Sequence, residues 1–102
     1  MEVCVNRNGD EVYIALRGEM DEHNAVEARR MADRIADESV GSSRAVFDLK
    51  EVSFMDSTAI GFLIGRYKKF KRYGVATYVT NPSKNADKIL TMSGVYTLMP
   101  RI

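Results

Sequence analysis

Residues 52–74 have the sequence VSFMDSTAIGFLIGRYKKFKRYG, in which a polar corner joins the end of an apolar strand to a long amphipathic segment. The corner is Asp56, Ser57 and Thr58, whose side-chain oxygens are typical of a helix start because they accept hydrogen bonds from the first, unpaired backbone N–H groups. The apolar residues that follow recur at helical spacing and are Ile60, Leu63, Ile64, Tyr67 and Phe70. Gly74 then suits a left-handed helix end. The stretch predicts a strand, a turn and a helix in direct succession.

Two glycines lie inside this predicted helix, although each costs about 1 kcal/mol relative to alanine. Gly61 and Gly65 are four residues apart, so they share one face with Thr58, Lys68 and Arg72. A helix face without side chains lets another backbone come close. That backbone belongs either to a neighbouring element of the same fold or to a protein partner, and the spacing leaves both open.

The composition limits the classes of function. The chain has 102 residues, 45% of them hydrophobic, which predicts one domain over residues 1–102 with a substantial core. The formal net charge of +1 gives no whole-chain reason to expect nucleic acid or a membrane as partner. The single cysteine, Cys4, excludes an intrachain disulfide and a multi-cysteine zinc site, and the apolar alternation around it indicates a small core or edge residue.

Neither a signal peptide nor a membrane span is indicated. The first residues lack the long apolar segment of a secretory signal, and the longest apolar run, residues 59–65, is too short to cross a bilayer. We therefore expect a soluble cytoplasmic protein. We also expect a monomer in isolation, because the charges are balanced and no exposed apolar stripe is obvious.

The part of the chain before the central stretch predicts a hairpin and a helix. Asn8 and Gly9 tolerate the positive φ angles of a tight turn, so the alternating apolar residues on either side predict two antiparallel strands. A helix is predicted from Asn24, which forms a capping-box pattern with Glu27. Its expected buried residues are Ala28, Met31, Ala32 and Ile35. Its expected surface ion pairs are Arg30 with Asp33 and Arg34 with Asp37.

The remaining segments complete an α/β fold. Residues 44–52 predict a strand that is buried on both faces, and residues 75–80 predict another. Ser83 is placed to cap a last helix that ends at Gly94, and residues 95–102 then add a strand or lie across the sheet. The order is β-β-α-β-α-β-α. Because strand-helix-strand units require crossovers, we predict a mixed β-sheet with helices packed on it.

Ser57 is the strongest candidate for a functional residue. Its alternative role is that of a helix cap. A serine nucleophile is disfavoured because the G-x-S-x-G pattern is absent, with Met55 and Ala59 at the flanking positions. His23 is the single histidine that could act as its base, and it lies in a polar connection. We therefore expect no enzyme and no catalytic residue.

No metal or cofactor is expected either. The acidic residues Asp21, Glu22 and Asp56 have no recognisable ligand spacing. The segment from Gly61 to Gly65 lacks the lysine and hydroxyl residue of a phosphate-binding loop.

The basic residues of the central stretch have two explanations that the sequence leaves open. They are Arg66, Lys68, Lys69, Lys71 and Arg72. They bind an acidic surface, a small anion or a lipid, or they supply the polar face and the cationic end that a surface helix favours.

The central stretch also resembles a known family. Residues 53–57 (SFMDS), followed by Gly61 and by residues 65–68 (GRYK), resemble the signature of anti-sigma factor antagonists of the STAS domain family, and most of all the antagonists of the anti-sigma-F factor in spore-forming bacteria. Residues 18–21 (GEMD) are similar to the family's loop after the second strand, and residues 92–94 (MSG) to its late Met-Ser-Gly. Ala59 stands where the family usually has glycine, so we expect a stiffer helix start. The resemblance covers nearly the whole chain and implies a single-domain STAS fold.

The resemblance implies a regulatory function without catalysis. Such proteins bind an anti-sigma factor that is also a serine kinase, and so free its sigma factor. The kinase phosphorylates the serine at the position of Ser57, which ends binding, and a PP2C-type serine phosphatase restores it. The docking surface implied in this way comprises Asp21, Asp56, Ser57, Thr58, Gly61, Gly65 and Lys68. A STAS domain of a general stress sigma pathway or of a stress-sensing complex would use the same serine switch. The sequence therefore does not identify the sigma factor pathway.

Overall fold

The sheet begins with the predicted hairpin. In the computed structural model, which describes residues 1–102, strand β1 (Glu2–Asn8) pairs antiparallel with strand β2 (Glu11–Arg17). Gly9 in the turn has φ +65°, a conformation that glycine adopts without strain. Cys4 is a half-buried free cysteine on β1, an edge strand, as predicted.

Two parallel strands extend this hairpin into a mixed sheet. Strand β3 (Arg44–Glu51) pairs with β2, and strand β4 (Ala76–Thr80) pairs with β3. The strand order is β1-β2-β3-β4, so β4 forms the second edge. The predicted mixed sheet is confirmed. Its parallel pairs follow from the helix that crosses over between each strand and the next.

The helices lie where the sequence predicts them, with one addition. Helix α1 spans Glu22–Asp37, α2 spans Ser57–Arg72, α3 spans Lys84–Met92 and the short α4 spans Val95–Leu98. The predicted order β-β-α-β-α-β-α is confirmed up to α3. The tail was expected to form a strand or to lie across the sheet. It forms α4 and then a single bridge between Arg101 and Val79 of β4.

Helix α1 starts earlier than predicted, and its cap differs. Asp21 is the N-cap residue, and its carboxylate accepts a hydrogen bond from the Asn24 backbone N–H at 2.8 Å. Asn24 Oδ1 in turn accepts from the Asp21 N–H at 3.0 Å, which completes a capping box. The predicted box of Asn24 with Glu27 is therefore wrong, because Asp21 takes the extended cap conformation three residues upstream.

The buried face of α1 is shifted from the predicted stripe. Ala28, Ala32 and Ile35 are buried as predicted, but Met31 is 39% exposed. Ala25 and Ala36 are the buried residues that the prediction omitted. Small side chains therefore dominate this face, which lets α1 pack closely on α2.

Helix α2 buries a different part of its circumference than the predicted stripe. Leu63 and Phe70 are buried as predicted, whereas Ile60, Ile64 and Tyr67 are partly buried at its margin. Ala59, Phe62 and Arg66 are buried instead. Phe47 of β3 meets the rings of Phe62 and Phe70 edge to face, with centroids 6.4 and 6.2 Å apart, so these aromatic rings join α2 to the middle of the sheet.

The two predicted ion pairs within α1 do not form. Asp33 pairs with Arg66 at 2.9 Å and Asp37 pairs with Lys69 at 3.3 Å, so both acidic residues reach α2 rather than their own helix. Arg30 pairs with Glu27 at 3.4 Å. Packing against α2 thus overrides the local spacing on which the prediction depended.

No helix combines the length and the apolar character that crossing a membrane requires.

Candidate functional site

Two adjacent polar residues at the start of α2 have different roles. Asp56 is the N-cap residue, and its Oδ1 accepts hydrogen bonds from the backbone N–H groups of Thr58 at 2.9 Å and Ala59 at 3.2 Å. Ser57 is the first helical residue, and it is exposed. The role of helix cap that the sequence allowed for Ser57 therefore belongs to Asp56. The Ser57 hydroxyl is accessible at the N-terminus of a long helix.

An open cleft of about 430 Å³ lies beside Ser57, where the first turns of α1 and α2 meet. Three predicted docking residues line it, namely Ser57, Thr58 and Gly61. The other lining residues are Glu22, Ala25, Arg29 and Phe62. Glu22 and Arg29 have opposite charges, so the cleft presents both an acidic and a basic group around an exposed serine.

The glycine face of α2 is open. A Cβ atom added at Gly61 or at Gly65 would meet no atom within 4 Å outside its own helical turn. No other element of the fold therefore approaches these glycines, and the explanation by packing within the fold is wrong. What remains is the other alternative, a face that is free to receive a partner.

The other predicted docking residues lie around the cleft but do not line it. Gly65 is half-buried and Lys68 is exposed on the same face of α2, about 6 Å and about 10 Å further along the axis than Gly61 at 1.5 Å per residue. Asp21 is exposed next to Glu22, and its carboxylate is engaged in the cap of α1. The Asp56 carboxylate is likewise engaged in a cap. Their positions make these residues a rim of the surface around Ser57.

A buried arginine stands behind the cleft and joins its two helices. Arg66 is 8% exposed, its Nε lies 2.9 Å from Asp33 Oδ1, and its guanidinium stacks 5.1 Å from the centroid of Phe62, which lines the cleft. Burial lowers the pKa of Arg66, the Asp33 carboxylate opposes that change, and the nearby Arg29 adds to it. The Nε and Nη1 atoms of Arg66 and the Oδ1 atom of Asp33 form no hydrogen bond, so this pair is held by charge and stacking more than by directed hydrogen bonds.

The basic residues of α2 differ in their exposure. Arg66 faces the interior and Lys69 is half-buried beside Asp37, so neither belongs to a solvent-facing patch. Lys68, Lys71 and Arg72 are exposed. The five basic residues therefore do not form one continuous face, because they point in different directions around the helix.

The STAS domain model matches residues 3–102 of the chain. The chain belongs to the STAS domain family. Among curated proteins it is similar to the anti-sigma F factor antagonist of Paenibacillus polymyxa, with 32% identity over 89 residues that cover 87% of this chain and 75% of that protein. It is also similar to the anti-sigma-B factor antagonist of Bacillus subtilis (strain 168), with 27% identity over 95 residues that cover 93% of this chain and 84% of that protein.

The fold of this STAS domain is that of a solved antagonist. The structure of the anti-sigma factor antagonist SpoIIAA in its unphosphorylated form superposes with a TM-score of 0.80 at 24% identity, covering 99% of this chain and 88% of that one. The STAS fold implied by the sequence resemblance is thereby confirmed.

Four residues of the cleft in this STAS domain were not predicted from the sequence, namely Phe62 of α2 and three residues of α1. Glu22, Ala25 and Arg29 are spaced i, i+3 and i+7 and so share one face of α1. That spacing was visible in the sequence. It did not reveal that this face of α1 borders the start of α2, because the contact joins residues far apart in the chain.

The acidic residues of the STAS domain do not form a metal site. No three histidine, cysteine, aspartate or glutamate side chains are close enough together to hold a metal ion. His23 lies exposed in the first turn of α1 rather than in a loop. The site therefore consists of a hydroxyl at a helix start beside an open, glycine-containing face.

Proposed function

We propose that this STAS domain is an anti-sigma factor antagonist that binds an anti-sigma factor through the surface around Ser57 and so releases a sigma factor. The observation that carries the proposal is the exposure of Ser57 at the first position of α2, beside the open face of Gly61. The partner's backbone lies against that face, with Thr58, Gly65, Lys68 and Asp21 at its margins.

Phosphorylation of Ser57 switches this binding off. A phosphate adds about −1.5 to −2 charges at neutral pH. The first turn of a helix tolerates an anion because its free N–H groups and the helix dipole both favour negative charge. A closely packed interface does not tolerate it, since the dianion must lose its water on binding. The modification therefore ends the contact and leaves the fold in place.

The proposed cycle needs two partners, both acting in the cytoplasm. The anti-sigma factor is itself a serine kinase, which phosphorylates Ser57 and is released. A PP2C-type serine phosphatase removes the phosphate and restores binding. The STAS domain takes part as substrate and ligand and performs no catalysis.

Mass spectrometry after incubation with the anti-sigma kinase and ATP tests the proposal. We expect one phosphate on Ser57, and none on a Ser57→Ala variant. Thr58→Val is the matched control for the position of the phosphate, because it removes the neighbouring hydroxyl and should still be phosphorylated on Ser57. Phosphate on Thr58 would move the switch by one residue. An active kinase that modifies neither residue would overturn the proposal for that partner.

A general stress sigma pathway is the second candidate, since a relative at 27% identity is an anti-sigma-B factor antagonist. The switch chemistry is the same in both pathways. Binding of the unphosphorylated protein to purified anti-sigma factors of the two classes distinguishes them. The pathway is the one whose anti-sigma factor binds more tightly and also phosphorylates Ser57.

A further inference from the structure

The cleft between the first turns of α1 and α2 is lined by one cationic side chain, that of Arg29. Arg29 is exposed and forms no ion pair. The two acidic residues nearest to it in sequence are engaged elsewhere. Glu27 pairs with Arg30 at 3.4 Å, and Asp33 pairs with Arg66 at 2.9 Å. The Arg29 guanidinium is therefore available to an anion in the cleft.

Two carboxylates lie near the cleft, and neither neutralises Arg29. Glu22 lines the cleft but lies two turns before Arg29 on α1, which is about 10 Å along the helix axis. Glu22 forms no ion pair with it. Asp56 precedes α2, and its carboxylate accepts hydrogen bonds from two backbone N–H groups of the first turn. The positive charge of Arg29 thus stays without a partner.

A second guanidinium lies behind the cleft. Arg66 is 8% exposed, and its Nε and Nη1 atoms form no hydrogen bond. The charge of Arg29 contributes to lowering the pKa of Arg66, so the two guanidinium groups are close enough to repel each other. Asp33 is the single carboxylate that pairs with either of them. An anion bound in the cleft would offset this repulsion.

We propose that the phosphate on Ser57 lies in this cleft and is bound by Arg29, so that it joins α2 to α1 in the phosphorylated protein. The inference rests on the function proposed for Ser57 and adds how the modified serine is held. Ser57 and Arg29 line the same cleft from different helices. An arginine guanidinium matches the geometry of a phosphate and binds it through paired, charge-assisted hydrogen bonds.

A phosphate held in this position also fills part of the proposed docking surface. Thr58 and Gly61 line the same cleft, and the face at Gly61 is open. The bound phosphate therefore excludes the partner by its volume, in addition to the cost of removing its water. Arg29 is a positioning residue in this scheme, because it acts through the phosphate and not on the partner.

The test measures the second pKa of the phosphate by 31P NMR, from about pH 4 to about pH 8. The full chain is produced with phosphoserine incorporated directly in place of Ser57, so the kinase does not enter the experiment. Arg29→Gln should raise this pKa by about 0.2–0.7, the shift that corresponds to one exposed ion pair. Arg29→Lys keeps the charge and should restore part of the shift. Glu22→Gln should lower the pKa, because it removes a like charge from the cleft.

Arg30→Gln is the matched control. Arg30 is exposed, adjoins Arg29 in sequence and pairs with Glu27 outside the cleft, so its loss should leave the pKa of the phosphate unchanged. No shift in Arg29→Gln, or equal shifts in Arg29→Gln and Arg30→Gln, would overturn the inference. If the kinase modifies Ser57 but Arg29→Gln has no effect, this inference alone fails. If the kinase leaves Ser57 unmodified, the proposed function fails whatever the 31P result.

Discussion

Asp56 caps the helix that Ser57 begins. The Asp56 carboxylate holds two backbone N–H groups of the first turn, at 2.9 and 3.2 Å, while the adjacent Ser57 side chain is exposed. The residue that stabilises the helix start is thus separate from the residue available for modification. Changes at the two positions should therefore have different consequences for stability.

Ser57→Asp is expected to leave the fold intact. A carboxylate in the first helical turn interacts favourably with the helix dipole, so the free energy of unfolding should stay unchanged or rise by about 0.3–1 kcal/mol. Asp56→Ala removes the cap and should cost about 1 kcal/mol. That loss corresponds to roughly 4–8 °C in Tm for a domain of this size. Thermal unfolding compares these variants with Ser57→Ala, and a loss of Tm in Ser57→Ala equal to that in Asp56→Ala would show that Ser57 is a structural cap.

The same Ser57→Asp variant should lose binding to the anti-sigma factor. The added carboxylate must be desolvated in the interface, as the phosphate would be. Ser57→Ala removes the hydroxyl without adding charge, so it should bind like the parent protein. Isothermal titration calorimetry measures both affinities. Tight binding by Ser57→Asp would refute the charge-based switch.

Gly61→Ala should stabilise the fold and weaken docking. The new methyl group meets no neighbour within 4 Å, so the free energy of unfolding should rise by about 1 kcal/mol from helix propensity. The same methyl group intrudes on the proposed partner surface, where overpacking should reduce affinity about tenfold. Gly65→Ala should stabilise the helix by the same amount, and its effect on affinity shows how far the docking surface extends along α2. Unchanged affinity in both variants would place the docking surface elsewhere.

Asp33→Ala should cost about 2 kcal/mol of stability, because it leaves the buried Arg66 guanidinium without a counter-charge. The cost stays below that of a fully buried pair, since the Asp33 side chain is 35% exposed. Arg66→Met replaces the guanidinium with an apolar side chain of similar length. The double variant should therefore be more stable than Asp33→Ala alone, which urea unfolding measures through a double-mutant cycle. Additive losses would indicate that the pair is not coupled.

Acid should weaken the attachment of the C-terminal tail through Asp87. The Tyr96 hydroxyl donates to Asp87 Oδ1 at 2.6 Å and Arg101 lies 2.9 Å from the same oxygen. The hydrogen bond from Tyr96, and then the charge of Arg101, lower the pKa of Asp87 from its usual 3.8. A carboxyl whose pKa is lowered by folding contributes stability above its usual pKa and loses that contribution as the pH falls through the lowered value.

Urea unfolding from about pH 5 to about pH 2.5 should therefore show a steeper loss of stability in the parent protein than in Asp87→Asn. Asp10→Asn, at an exposed turn residue, serves as the control and should follow the parent curve. Hydrogen exchange at the Val79 and Ile102 amides reports the tail directly. Parallel curves for the parent and Asp87→Asn would contradict the role of Asp87.

Much of the fold could be predicted because its signals are local. The Asn8-Gly9 turn, the helix start around Asp56 and the cap at Ser83 all depend on hydrogen bonds or backbone angles of residues close in sequence. The order of the elements follows from the same local periods, and so does the position of Ser57 at the start of α2. These features were determined by the sequence itself.

The contacts between elements were decided only in the tertiary structure. Asp33 and Asp37 have arginines within reach on α1, yet they pair with Arg66 and Lys69 of α2, because packing turns that face of α1 toward its neighbour. The open space around Gly61 likewise depends on the tertiary structure, because no other element of the fold packs against that part of α2. Local spacing carries no such information, because a contact between distant residues depends on how whole elements pack.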